Sequence, residues 1–147
     1  MRLRDAVAIV ALLALAEFAM SAASGFSHGV IRNSCAPWDG PAVELTLTTS
    51  PAQCDRVSEP YLSMGVWRGL PIHDGQVVTF DLHSDAGFAS RCNKASQCER
   101  AESGTIVFDK YEEGSRARGH YELLFKGGES LRGDFDVPWC KTRVLCG

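Results

Sequence analysis

Hydrophobic and polar residues alternate with a period of two through most of the chain, the signature of half-buried β-strands. In Ala42–Thr49, Val43, Leu45 and Leu47 fall on one side and Glu44, Thr46 and Thr48 on the other. Tyr61–Trp67 groups Leu62, Met64 and Val66. Gln76–His83 groups Val78, Phe80 and Leu82 against Thr79, Asp81 and His83. Thr105–Tyr111 is rich in β-formers, with its buried side left open. Turn residues separate these runs: Trp38-Asp39-Gly40-Pro41, Ser50-Pro51, Gly69-Leu70-Pro71 and His73-Asp74-Gly75.

The clearest pattern closes the chain. Ala117–Phe125 puts Gly119, Tyr121, Leu123 and Phe125 together, and Leu131–Trp139 does the same for Leu131, Gly133, Phe135, Val137 and Trp139. A two-residue turn at Gly127-Gly128 would send Leu131 to the wrong face. A three-residue loop, Gly127-Gly128-Glu129, pairs Phe125 with Leu131, Leu123 with Gly133 and Tyr121 with Phe135, so that register is predicted. Pro138 has no N–H to donate, which predicts that the last strand ends there or lies at an edge. One short helical turn is expected over Asn93–Glu102, with Asn93 as its cap. About six strands with short connections predict an all-β fold, an antiparallel β-sandwich or small β-barrel, with the sandwich favoured by the uneven spacing.

The first stretch reads differently. Met1-Arg-Leu-Arg4 is a positive leader to the apolar run Ala6–Ala16, and small residues follow at Ser21-Ala22-Ala23. This is the layout of a signal peptide, residues 1–23, cleaved after Ala23 to leave a single domain from Ser24 to Gly147. A membrane anchor needs about 20 apolar residues, and Glu17 interrupts this run too early. Lipidation would require a cysteine directly after the apolar run. The first is Cys35, behind Arg32-Asn33-Ser34.

All six cysteines, Cys35, Cys54, Cys92, Cys98, Cys140 and Cys146, lie beyond that segment. An even count in an exported chain predicts three disulfides and a periplasmic or extracellular location. Sequence allows any pairing, and the simplest joins neighbours: Cys35–Cys54, Cys92–Cys98 and Cys140–Cys146. Zinc would want close Cys-x-x-Cys pairs or Cys with His at ligand spacing, which are absent, and no cofactor motif is found. The net charge of −3 carries no basic block. Nucleic acid is therefore excluded as a partner, and an envelope or extracellular partner is expected.

Candidate chemistry is sparse. Gly25-Phe26-Ser27-His28-Gly29 matches the hydrolase elbow G-x-S-x-G but lacks the strand–helix context that elbow needs, so a flexible N-terminal segment is the simpler reading. Asp81, His83 and Asp85 would project to one side of a strand and supply two carboxylates and an imidazole to a divalent cation; the plainer reading is a solvated outer face. His120 and Glu122 offer an acid and a base, against simple cross-strand charge pairing with Arg132 and Asp134. Trp38 and Trp67 are candidate ligand-binding aromatics for a carbohydrate or peptide, whereas Trp139, beside Cys140, has core parity.

The closing G-x-Y-x-L-x-F-x-G-G-x-x-L-x-G-x-F-x-V-x-W-C of Gly119–Cys140 resembles the terminal hairpin of small exported bacterial proteins of uncharacterised function, and Ser34-Cys35-Ala36-Pro37-Trp38-Asp39-Gly40 is similar in flavour. The resemblance implies a bacterial envelope setting and transfers no catalytic residues. The expectation is a non-enzymatic binding or structural module of the bacterial cell envelope. The alternatives are a small-molecule or lipid carrier with a barrel cavity lined by Tyr121, Leu123, Phe125 and Phe135, and a small secreted hydrolase in which Asp81 and His83 converge with His73 or His120.

Overall fold

A computed structural model describes residues 25–94 and 97–147. The expected signal peptide lies outside the described residues. Nine strands form: β1 (His28–Cys35), β2 (Pro41–Thr48), β3 (Tyr61–Val66), β4 (Gln76–Asp81), β5 (Gly87–Lys94), β6 (Gln97–Arg100), β7 (Ser103–Glu112), β8 (Arg116–Leu124) and β9 (Ser130–Cys140). They make one curled sheet, a half-barrel, in the order β4-β7-β8-β9-β1-β2-β3-β5-β6. Every neighbouring pair is antiparallel except β1 and β9, which run parallel through Ile31↔Trp139 and Arg32↔Cys140. The all-β class is as predicted. The arrangement is a single mixed sheet in place of the favoured sandwich, and its curl brings β4 back towards β5.

The predicted inward faces of β2, β3 and β8 are the buried ones, with Val43, Leu45, Leu47, Leu62, Met64, Val66, Tyr121 and Leu123 all in the core. Leu82 departs from its predicted burial. β4 ends at Asp81, whose carboxylate accepts the His83 N–H at 2.8 Å, and the chain turns Leu82 outward to 45% exposure. The open face of β7 resolves as Ile106 and Phe108, both buried. A bulge between Phe108 and Lys110 then shifts the parity, which is why no single period described that run.

The C-terminal hairpin keeps its predicted face but slips by two residues. Leu123 pairs with Leu131, Tyr121 with Gly133 and Gly119 with Phe135, in place of the expected Phe125–Leu131 set. The loop has the expected three residues but is Lys126-Gly127-Gly128, closed by the Phe125 N–H donating to the Glu129 carbonyl at 2.8 Å. A two-residue slip preserves every facing, so the hydrophobic pattern cannot exclude it. The turn decides instead: Gly127 and Gly128 sit at φ 84° and 82°, and the predicted loop would have put Glu129 in its last, bulge-forming place.

β9 is an interior strand that passes through Pro138, contrary to the expected end or edge. The Trp139 N–H goes to the Ser115 carbonyl at 2.8 Å, on the β8 side. Neighbouring N–H groups on a strand point opposite ways, so the missing Pro138 donor faces β1, where pairing begins only at Trp139. The expected helical turn over Asn93–Glu102 is also replaced: β5 and β6 form a hairpin in which Cys92 and Cys98 are cross-strand partners. Among the described residues there is no helix, and so none that would cross a membrane.

Three disulfides form as predicted, but only Cys92–Cys98 joins the expected partners. The others are Cys35–Cys146 and Cys54–Cys140, spanning 111 and 86 residues. The parallel pairing explains this. With Arg32 beside Cys140, the chain leaving β9 runs alongside the end of β1 and delivers Cys146 to Cys35. Such bonds belong to an oxidising, non-cytoplasmic compartment. In the loop-entropy picture, joining residues about 100 apart stabilises by about 4–5 kcal/mol, against about 2 kcal/mol for a loop as short as Cys92–Cys98. The double substitution Cys54→Ala/Cys140→Ala therefore destabilises more than Cys92→Ala/Cys98→Ala, as chemical denaturation of the two variants will measure.

A second clamp is electrostatic. Asp74 accepts the Tyr111 N–H at 2.8 Å and pairs with Lys110 Nζ at 2.7 Å, supplying the bulged part of β7 with a partner that the ladder lacks. The Lys110 hydrogen bond, then the Tyr111 N–H, hold the Asp74 carboxyl below its ordinary value of 3.8. A lowered folded pKa gives stability that is complete above the unfolded value and is lost as pH falls through the folded one. The difference in melting temperature between wild type and Asp74→Asn is expected to be largest above pH 3.8 and to shrink on acidification below it.

Candidate functional site

On the side of the sheet facing away from the core, β1, β2, β3 and β5 present Arg32, Glu44, Ser63, Phe88 and Ser90. The register lines them up: Arg32 opposes Glu44, Gly65 opposes Phe88, and Ser63 opposes Ser90. Two connected features occupy this surface, an aromatic corner and a polar hollow, and Phe88 belongs to both.

The corner is built from three rings. Trp38, in the turn between β1 and β2, meets Trp67 edge to face with centroids 6.0 Å apart and planes at 80°. Trp67, just past β3, meets Phe88 at 5.2 Å and 36°. The guanidinium of Arg68 lies 4.4 Å over the Trp38 ring and is held by Asp85 at 2.9 Å. Trp38 is 44% exposed, and neither it, Trp67 nor Phe88 belongs to the core cluster. Trp139 does pack on that core, edge to face with Tyr111, as its parity predicted.

Backbone features set the ring positions. The Trp38 turn is closed by the Asp39 N–H on the Ala36 carbonyl at 2.9 Å and the Ala36 N–H on the Gly40 carbonyl at 2.8 Å. Gly65 lies directly under the Phe88 ring; a Cβ there would sit 2.3 Å from Phe88 Cε1 and 3.1 Å from Trp67 Nε1. The ring thus covers a glycine that has no side chain of its own to pack, the device called aromatic rescue.

The hollow beside it measures about 420 Å³ and runs from Arg32 and Glu44 past Tyr61 and Ser90 to the Cys92–Cys98 disulfide. Arg32 Nε donates to Glu44 Oε2 at 3.2 Å, and Ser63 Oγ donates to Glu44 Oε1 at 2.9 Å. Both partners of the ion pair are only about a quarter exposed. The wall therefore carries fixed donors and acceptors next to an aromatic floor, the usual make-up of a binding site.

Trp38 and Trp67, chosen from sequence as ligand-binding candidates, are brought together. Phe88 was missed, although a glycine inside a strand is the signal of a close approach from a neighbour. Asp81, His83 and Asp85 are not brought together as a ligand set. Asp81 caps the turn by binding the His83 N–H, and Asp85 pairs with Arg68. Alternation along an extended strand places all three on one face, but the strand stops at Asp81. Among the described residues no cluster of three metal-ligating side chains occurs.

The other candidate chemistry is also accounted for. Ser27 is exposed, and Gly25-Phe26-Ser27-His28-Gly29 leads into a strand, so the flexible-segment reading gives way to β1. Phe26 is buried, and its carbonyl accepts the Tyr121 hydroxyl at 3.0 Å. His120 opposes Asp134, Glu122 opposes Arg132, and His120 Nδ1 lies 3.5 Å from Asp109. His73 and His83 flank opposite ends of β4, whose six extended residues span about 20 Å, and His120 lies two strands away.

A second hollow of about 290 Å³ lies by Asp74, Lys110, Tyr111, Arg116 and Asp136. Four of its charged groups are paired, Asp74 with Lys110 and Arg116 with Asp136, each at 2.7 Å, and Glu112 and Arg118 line it as well. Burial, then the nearby Glu113 charge, pushes the Tyr111 phenol up to about 12, so it stays protonated at neutral pH.

Compared with protein-family models, curated proteins and solved structures, the chain matches none.

The fit of Phe88 over Gly65 is open to direct perturbation. Gly65→Ala is expected to lift the ring, cost about 1–3 kcal/mol as an overpacked contact, and alter the near-ultraviolet circular dichroism of Trp67. An unchanged aromatic spectrum would contradict the contact.

Proposed function

We propose that the protein is a non-enzymatic binding module of the bacterial cell envelope, periplasmic or secreted, working from the outer face of β1, β2, β3 and β5. The observation that carries this reading is the Trp38–Trp67–Phe88 corner: three large rings outside the core, packed against one another, beside a hydrogen-bonding hollow. Rings held in place before binding lose little freedom when a ligand arrives, which favours affinity. The three disulfides, the signal-like residues 1–23 and the resemblance of the closing hairpin to small exported bacterial proteins support the setting.

The two other functional readings draw less support. A carrier would use the inward side, where Tyr121, Leu123, Phe125 and Phe135 are packed into one core cluster. The hydrolase reading needs Asp81 and His83 to converge with His73 or His120, and these lie at opposite ends of β4 or two strands away.

Co-sedimentation with isolated bacterial envelope tests the proposal. Wild-type protein is expected to pellet with the envelope. The Trp38→Ala/Trp67→Ala variant, folded by circular dichroism, is expected to bind at least about tenfold more weakly, or about 1.4 kcal/mol. Equal pelleting of the two would remove this face from the function.

A further inference from the structure

We infer that the ligand of this face is an uncharged oligosaccharide, lying across the Trp38–Trp67–Phe88 corner and continuing into the hollow beside Arg32 and Glu44. The inference rests on the binding reading above and names its ligand class. Three observations converge on it.

The first is the pairing of surfaces. A sugar ring has a C–H face that packs on aromatic rings and a rim of hydroxyls. The site supplies both in sequence, with Phe88 shared between corner and hollow. Its extent suits a chain of sugars rather than a single unit.

The second is hydrogen-bond chemistry. Each sugar hydroxyl both donates and accepts. The hollow offers a donor-only guanidinium at Arg32, acceptor-only carboxylates at Glu44 and Glu59, and hydroxyls that both donate and accept at Ser63, Ser90 and Tyr61. Strand addition is one way in which an extended peptide is recognised. That mode is closed here, because β1, β2, β3 and β5 are each paired on both sides.

The third is charge. Arg32 is matched by Glu44 and Arg68 by Asp85, so neither cation is left to attract an anionic polymer. Arg68 over Trp38 is itself a positive charge at the corner, which disfavours a cationic ligand.

The test is calorimetric titration of the purified, disulfide-bonded protein with a panel of short linear oligomers. The panel holds neutral oligomers of glucose, xylose, mannose, galactose and N-acetylglucosamine, uronic-acid oligomers, and uncharged peptides of similar length. Binding of a neutral oligosaccharide is expected, tightening from one sugar to three. Phe88→Ala is expected to weaken it at least about tenfold. Ser90→Ala, a small change in the hollow, is expected to weaken it several-fold without disturbing the fold. No binding of any neutral oligomer at millimolar concentration, or preference for the acidic oligomers or the peptides, would overturn the inference. Failure of the panel while tryptophan-dependent envelope binding persists would overturn the ligand class alone. Failure of both would overturn the binding face as well.

Discussion

The continuity of the sheet depends on one short contact, the parallel pairing of β1 with β9 through Ile31↔Trp139 and Arg32↔Cys140. On one side lie β4, β7, β8 and β9; on the other, β1, β2, β3, β5 and β6. Two residue pairs are a slender ladder for joining them, and parallel pairing is slightly weaker per residue than antiparallel. Two of the three disulfides straddle this seam. Cys54–Cys140 ties the end of β9 to the β2–β3 loop, and Cys35–Cys146 ties the last residues to the end of β1. Away from the seam, Arg91 of β5 reaches across to Glu129 in the β8–β9 loop and lies 4.6 Å over the Phe125 ring. The curl is thus held covalently at its junction and by charge and packing across its span.

The same constraint positions the outer-face site. Cys35 is the last residue of β1, and the turn carrying Trp38 begins directly after it. A disulfide that fixes the end of β1 also fixes the base of that turn. Trp67 and Phe88 come from strands on the same side of the seam, so all three rings ride on one paired unit.

Much of this was legible in the chain, and what was not has definite causes. Strands with one buried face, such as β3 and β8, announce themselves by alternation. β1 does not, because Val30 and Ile31 are both buried and the strand lies between two others. The β2 alternation was read correctly on its inward side, yet Thr46 and Thr48 are buried as well. β6 is short and polar, and it is joined to β5 by a cross-strand disulfide rather than by an apolar face. The disulfide partners were hidden because nearness along the chain says nothing about a parallel return that brings the last residues beside the first strand. For the site, Trp38 and Trp67 were visible as aromatics without a core role. Their junction through Phe88 requires knowing that Gly65 and Phe88 are cross-strand partners.

The contacts within the corner are unequal in strength, and this bears on how it would receive a ligand. Gly65 leaves the space that the Phe88 ring fills, and a hydrogen-bonded turn carries Trp38. Arg68 is held by an exposed ion pair and an exposed cation–π contact, each worth about 1 kcal/mol or less. A ligand packing on Trp38 therefore displaces a loosely held side chain and leaves the shelf beneath it unchanged. The cost of reorganisation falls on Arg68 and Asp85, while Trp67 and Phe88 are already in place.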